Sequence, residues 1–576
     1  MEAGKKKITD IFNGGRLLKV PFFQRAYVWG EEQWERLLAD MEFISKEYAD
    51  EEHGYFLGSI ILKQELGPVD SSVSDTRTIV DGQQRLTTIA IFLKVLYLQL
   101  NRDTQFRRKF CLDDDDETVA IKHSHIDCQD FEHILHLKQI ENINGNSNII
   151  KAYNYFKKNI KIEKLDINSI LRNVLFVVID LGANEDEQLI FDTINSLGVR
   201  LTTGELLKNY FFNESSISKY NELWKTTFDK DEECLNYWRQ NMTTGRIKKD
   251  FSETFFYSYL QIKIQDPSLS LSSEAKQVYR RTEGLFNNYK TIIKDKELDI
   301  NIIIKEITNY GKLFKEAFDA DITKCDIPSK ADIKRICFII FVLDTSTLFP
   351  YVMYILKNVL EIDERNAIFD FLECYIVRRI ICNSKNNNYS DLFSENLIGN
   401  EINTLAKLKE YISTKTTDSS LAMPNDEKIK EAFKQITFNN KRALGILYLM
   451  ESKLRDNKHH SLALRPFCDY TLEHLMPKKW KNNWGNPVAP YTEEMRDNAI
   501  CTLGNLAMIT SKLNTSISNA NWIAKVNGNQ RHGGLNTYAT GIEILKTALT
   551  KTKWDEDEII ERAELLSNYA IQIWKI

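Results

Sequence analysis

The chain has 576 residues, with 76 Lys and Arg against 81 Asp and Glu and a formal charge of −5. That length exceeds what one core holds and predicts two or three domains, for which 43% hydrophobic residues are ample. The slightly acidic balance excludes a generally basic nucleic-acid coat, so any contact with DNA has to come from local patches.

The nine cysteines form no Cys-x-x-Cys pair, which predicts reduced thiols in a cytoplasmic protein rather than a disulfide framework. No signal-type apolar core follows Lys5-Lys6-Lys7, and no uncharged run is long enough to span a bilayer, so no membrane partner is expected.

The first 215 or so residues read as an α/β unit. Residues 21–29, which include Gln24 and Arg25, are a compact aromatic and cationic stretch. Residues 31–47 place Trp34, Leu37, Leu38, Met41 and Ile44 at helical spacing. Strands are predicted over 55–62 and 77–80, the second running straight into Asp81-Gly82-Gln83-Gln84-Arg85. Residues 89–100 are then apolar nearly all round, so that helix must be buried. A strand, a Gly turn and a helix start make an anion site, because free N–H groups and the helix dipole face the turn. Arg85 could clamp a phosphate in a bidentate way, with Gln83 and Gln84 as neutral donors and Asp81 as a metal or ribose contact. The same letters also fit a plain Asp-Gly turn and a solvated first helical turn.

Further on, His123, His125, Cys128, His133 and His136 cluster beside the acidic run 113–117. They lack a second cysteine and the usual zinc spacing, so no zinc site is expected and the acidic run reads as a solvated loop. Residues 175–179 read as a buried strand and 186–197, containing Asn195, as a helix ended by Gly198. Thr202 or Thr203 with Glu205 resembles a helix start leading into 206–212. From 215 to 440 the chain reads as mostly helical, without a fixed-period repeat. There Phe255, Phe256, Tyr257 and Tyr259 are expected in a core and Arg378-Arg379 on a solvated helix face.

The stretch 471–525 carries the densest chemistry. Residues 471–475 predict a strand ended by Pro477, 505–510 a second strand opened by Gly504, and 511–525 a polar helix. Hydrolysis of a phosphodiester needs a base near neutral pKa, here His474. It also needs a hard divalent cation on oxygen ligands, here Glu473 and the amide oxygen of Asn514, while Asn505 holds the loop or the imidazole in register. Neighbours in a strand point apart, so Glu473 and His474 share a site only if the strand ends or bulges there. Lys478, Lys479, Lys481, Arg496, Lys512, Lys525 and Arg531 form a modest cationic patch around these positions. Trp480, Trp484 and Pro487 are there to pack or to touch DNA. The plainer alternative is a core or surface histidine with asparagines that cap turns.

Two groups of blocks resemble one known family. Glu-His-Leu-Met-Pro at 473–477, Leu-Gly-Asn-Leu at 503–506 and a later Asn resemble the HNH (His-Me finger, ββα-metal) motif of GmrSD-type modification-dependent restriction enzymes. Pro-Phe-Phe-Gln-Arg-Ala-Tyr-Val-Trp at 21–29, Tyr-Phe-Leu-Gly-Ser-Ile at 55–60, Val-Asp-Gly-Gln-Gln-Arg-Leu-Thr-Thr at 80–88 and 191–202 resemble its N-terminal half. The resemblance implies an α+β multidomain chain: a ParB/sulfiredoxin-like nucleotide-binding domain over 1–215, a helical middle over 216–440 and an HNH nuclease domain over 441–576. It implies His474 as base, Glu473 and Asn514 as ligands of Mg²⁺ or Mn²⁺, and Asn505 as the orienting residue. Asn519 is a rival third ligand and Lys525 an alternative active-site residue. It further implies that Gln24, Arg25, Asp81, Gly82, Gln83, Gln84 and Arg85 line a nucleoside triphosphate pocket, with Asn195 nearby. The sequence departs from the family pattern in its Glu, where many HNH enzymes have Asp, and in the 31 positions between His474 and Asn505, which imply an insertion.

The expected function is NTP-regulated, metal-dependent cutting or nicking of foreign, modified double-stranded phage DNA in defence. The alternatives are a nucleotide-switched DNA-binding or assembly protein with an inactive HNH fold, and an RNA-directed nuclease. The choice among GTP, ATP and CTP, and a homo-oligomeric state, are left open.

Overall fold

A computed structural model describes the chain except for residues 1, 14, 22–25, 49–53, 66–74, 113–114, 124–126, 184–201, 213, 245–246, 282–283, 417–418, 456–463 and 529–532. Gln24, Arg25 and Asn195, and the helix expected over 186–197, lie outside the described residues. The chain divides into two compact units, one up to Glu222 and one from Leu223 to Ile576. The expected boundaries at 215 and 440 thus compare with a single division, and the helical middle packs with the C-terminal segment as one unit.

The first unit is built on a mixed sheet whose strands, among the described residues, are β1 (Glu2–Lys7), β2 (Arg16–Lys19), β3 (Tyr55–Gln64), β4 (Asp75–Asp81), β5 (Ile121–Lys122) and β6 (Val174–Leu181). Their order across the sheet is β1-β6-β3-β4-β2-β5. β3 runs antiparallel to β4 and parallel to β6, and β4 runs parallel to β2. Alternate residues serve alternate faces. Ile60, Leu62, Ile79, Phe176 and Val178 join the main core with the helices, whereas Ile61, Val80, Ile179 and Leu181 form a small separate cluster. Three of the helices over that core are α1 (Glu31–Glu47), α2 (Gln83–Gln99) and α3 (Asn148–Asn159).

Helix α2 is buried along nearly its whole length, as its all-round apolar sequence requires. The polar residues it buries are therefore bonded: Lys94 reaches Asp103 at 2.6 Å, and Thr88 shares a bond of 2.7 Å with Tyr27. Thr202 caps the helix Thr203–Phe211 through a capping box with Glu205. The acidic run is not simply a loop: Asp115–Val119 is a strand paired with Cys111–Leu112. His123 is buried against Phe131, while His133 and His136 lie exposed on the helix Cys128–His136. None of the nine cysteines is in a disulfide.

The second unit is mostly helical, and its aromatics are core. Trp224, Phe228, Trp238, Phe255, Phe256 and Phe314 stack or meet edge to face at ring distances of 4.6–5.9 Å. Helix α4 (Ile362–Ile381) corrects one expectation: Arg378 and Arg379 are almost fully buried, not solvated. Arg378 donates to the carbonyls of Pro424 and Trp574 and pairs with Asp426. Arg379 lies between the rings of Tyr375 and Tyr389 and donates to Ser420, Ala422 and Lys385 carbonyls. Their long stems and forked heads replace an apolar filling where loop carbonyls converge.

Candidate active site

In the second unit β7 (Tyr470–His474) and β8 (Leu506–Thr510), with helix α5 (Glu493–Ile500) between them in the chain, form an antiparallel pair that matches Glu473 with Ala507 and His474 with Leu506. A helix follows directly, α6 (Ser511–Ile517). The single polar helix expected over 511–525 is instead two. Ser518 takes φ 35°, which ends the first, and the Asn521 side chain caps the second, α7 (Trp522–Asn527), by accepting from Ala524 N–H.

The strand ends at His474, the condition under which Glu473 and His474 can turn toward one centre. Asn505 makes that ending. It is fully buried and all four of its amide valences are filled: Oδ1 accepts from Met476 N–H at 2.8 Å and Trp554 Nε1 at 3.0 Å, while Nδ2 donates to the Met476 and Ile500 carbonyls. Of its two expected roles the geometry therefore gives it the loop and leaves nothing for the imidazole. Gly504, just before it, is close-packed: a Cβ there would lie 2.3 Å from the carbonyl oxygen of Ile559 in helix α8 (Glu556–Ile573). From α8, Arg562 donates to the carbonyls of Leu503, Gly504 and Leu506. Burial lowers its guanidinium pKa to about 9.

The His474 ring is half-buried and makes no hydrogen bond among the described residues. Burial, with Lys478 and Lys525 adding to it, pushes the imidazole down to about 4. Glu473 is buried and its carboxyl is raised by desolvation, against which the Lys525 ammonium pulls it down. Lys525 contacts one Glu473 oxygen and also donates to the His474 carbonyl at 2.8 Å. Asn514, on α6, donates Nδ2 to Thr471 Oγ1 at 3.1 Å and the Leu472 carbonyl at 3.0 Å, so its oxygen is the end left to a ligand. Asn519 is joined to the insertion through its backbone carbonyl, which accepts from Asn483.

The insertion packs. Trp480 is buried, donates to Asp497 at 2.8 Å and lies under the Arg496 guanidinium, which is itself paired with Glu556 of α8. Trp484 donates to the Ala520 carbonyl. The cationic patch is smaller than its letters: Arg496 and Lys525 are buried, Arg531 is outside the described residues, and Lys481 pairs with Glu493. Lys478, Lys479 and Lys512 remain on the surface.

Among the described residues no three His, Cys, Asp or Glu side chains converge as a metal cage. Glu473, whose carboxylate takes the Lys525 ammonium and the His474 backbone N–H, still has lone pairs to offer, Asn514 has its amide oxygen, and a small hard cation that keeps most of its water needs few protein ligands. The donor set thus fits Mg²⁺ or Mn²⁺ chemistry and does not fit a soft-metal site.

In the first unit Gly82 holds φ 98° at the start of α2, where a Cβ would crowd Ile60. Gln84 is buried, not solvated. Its Oε1 accepts from Val28 N–H at 2.9 Å and Trp29 N–H at 3.3 Å and its Nε2 donates to the Ala26 carbonyl at 3.3 Å, so it brackets the segment before α1 and its donor is already engaged. Gln83 is buried too. Arg85 is partly exposed, donating to the Ser59 carbonyl and pairing with Asp81 at 3.2 Å. It borders a cavity of about 300 Å³ whose other walls include Trp29, Arg36, Asp40, Tyr55 and Phe56. The sequence reading missed Arg36 and Asp40. They sit one helical turn apart on α1, Arg36 exposed and Asp40 accepting from the Tyr55 hydroxyl at 2.7 Å, and only their charge at i and i+4 on a helix that faces the core could have flagged them.

The first unit thus carries an Asp-Gly-Gln-Gln-Arg helix start and the second a strand pair ending in Glu-His. Residues 8–212 match the model described as GmrSD restriction endonuclease, N-terminal domain, and residues 423–569 the one described as GmrSD restriction endonucleases, C-terminal domain. The chain belongs to the GmrSD restriction endonuclease family, and its substrate class is DNA. No curated protein matches it. Among the described residues no helix is long and apolar enough to cross a membrane.

Proposed function

We propose that the protein is a divalent-metal-dependent, HNH-type endonuclease or nickase for modified foreign DNA, regulated by a nucleoside triphosphate bound in the first unit. The observation that carries the reading is the end of β7. There a half-buried imidazole without a hydrogen-bond partner among the described residues follows a buried carboxylate, and Asn514 is anchored to the same strand by its nitrogen. His474, kept neutral at physiological pH by a pKa pushed down to about 4 and thereby made a weaker base than a free imidazole, takes the proton from the attacking water at a ring nitrogen without a hydrogen-bond partner among the described residues. Glu473 and Asn514 are the residues that would hold the cation, which when bound would supply positive charge against the scissile phosphate and the leaving oxygen. Asn505 keeps the turn after His474 closed, and the exposed Lys478, Lys479 and Lys512 offer phosphate contacts.

For the nucleotide, the reading is supported by the cavity beside Arg85, with its aromatic walls and its position at the start of α2. One observation favours a second reading, a DNA-binding switch that no longer cuts: the Lys525 ammonium already occupies one oxygen of the carboxylate a metal would use. Matched plain and modified phage DNA, incubated with Mg²⁺ or Mn²⁺ and with each NTP in turn, separates the two. Cleavage by wild type that His474→Ala abolishes supports the nuclease. Retention of modified DNA without cleavage under any condition supports the switch, and competition by RNA without DNA cutting supports an RNA-directed enzyme.

A further inference from the structure

Lys525 has 0% exposure and lies on α7, whose Trp522 stacks on Trp554, the same ring that donates to Asn505. Its single ammonium touches two groups that are neighbours in the chain, the carboxylate of Glu473 and the carbonyl of His474. A buried ammonium is costly unless its donors are satisfied, and here both acceptors come from the last two residues of β7. These are the two residues whose side chains would point apart in a continuing strand. On the far side of the turn Asn505 holds Leu475 and Met476 by main-chain and side-chain bonds. On the near side Lys525 is the group that bridges residue 473 to residue 474.

We propose that Lys525 is a positioning residue of the cutting site, which locks the Glu473 carboxylate and the His474 backbone together so that imidazole and carboxylate serve one phosphate. The proposal rests on the nuclease reading above. A sealed ammonium has no surface for the DNA backbone, and as a cation it is no metal ligand, so neither of those roles explains its two contacts. Nor is it only a charge partner for Glu473, since the bond to the His474 carbonyl would then be without purpose.

The test uses the full chain on the DNA form that wild type cuts, titrating DNA and Mg²⁺ for wild type, Lys525→Met, Lys525→Arg and His474→Ala. Lys525→Met is expected to lower the maximal rate about 10-fold to 100-fold, with the half-saturating DNA and Mg²⁺ concentrations unchanged. Lys525→Arg, whose longer planar head shifts both contacts, is expected to fall between that variant and wild type. A wild-type maximal rate for folded Lys525→Met overturns the proposal, as does a loss confined to DNA affinity. If Lys525→Met shows no cooperative melting transition, Lys525→Arg decides: a lowered maximal rate at unchanged half-saturation supports the positioning role, and wild-type behaviour overturns it. His474→Ala separates the two levels of argument. If it cuts as wild type does, the nuclease reading of the site has failed; if it is dead while the Lys525 variants keep full rate, the failure is confined to Lys525.

Discussion

At the scale of single residues, the asparagine that a motif search would count as catalytic is here a structural bracket. Asn505→Leu removes both acceptor and donor from a sealed site and strands Met476 N–H and Trp554 Nε1. Each such group costs about 1–3 kcal/mol, so a clear fall in the urea midpoint of the second unit is expected, together with loss of cutting. A variant that kept wild-type stability would show that Asn505 is not what closes the turn. His123 gives a prediction on pH. Burial holds its imidazole near 4, against 6.5 in the unfolded chain, so between those values the unfolded state binds the proton and the folded state does not. Its stabilising contribution is whole above about pH 6.5, falls as the pH drops and levels below about 4, a change on the order of 3 kcal/mol. Denaturant melts at pH 7 and pH 4.5 should show a smaller drop for His123→Gln, which can keep the bond to Thr87 Oγ1, than for wild type. Equal drops would place the acid sensitivity elsewhere. On the proposed nucleotide reading, Arg85→Ala should lower nucleotide turnover without a change in fold, since among the described residues the guanidinium braces the Ser59 carbonyl and Asp81 at the cavity edge; unaltered turnover would remove it from the proposed pocket.

At the scale of elements, Gly504 packs tightly against α8. Gly504→Ala puts a methyl carbon against the Ile559 carbonyl oxygen, a backbone atom that no rotamer change can move aside. We expect a loss of several degrees in thermal midpoint, on the scale of roughly 1–3 kcal/mol for overpacking, and a variant melting with wild type would show that α8 can slide. The same elements show what periodicity can and cannot reveal. The spacing of Trp34, Leu37, Leu38, Met41 and Ile44 marks α1 at its observed bounds, and the strand pair around Glu473 and Asn505 was legible to within a residue, because apolar period and turn letters agree there. The helix after β8 was not. Its polar letters continue unbroken through Ser518, and the break comes from a positive φ and an Asn cap that serve equally well inside a solvated turn. Arg378 and Arg379 were misread for a related reason. Charge in a helix normally marks its wet face, and the carbonyls of residues 420–424 and 574 that receive these guanidinium groups are distant in sequence.

At the scale of the whole molecule, two compact units with separate cores should unfold as two transitions. A nucleotide that binds only the first unit should raise the earlier or later of these alone, by RT ln(1 + [L]/Kd). Calorimetry with and without each NTP checks this, and a shift in neither transition would remove the triphosphate from the first unit. The order of the chain was readable here, since the motif blocks are local; the packing of the helical middle with the C-terminal segment was not, because it is made by pairs such as Glu373 and Arg378 with Trp574 that no local pattern announces.

The tie between Asn505 and Trp554 bears on anyone who would transplant the cutting hairpin. A graft ending shortly after α7 would carry every residue of the proposed chemistry yet leave behind the indole that fills one lone pair of Asn505, the Glu556 partner of Arg496 and the helix against which Gly504 rests. The smallest portable cassette therefore extends through Ile573, and a shorter one would inherit the letters without their posture.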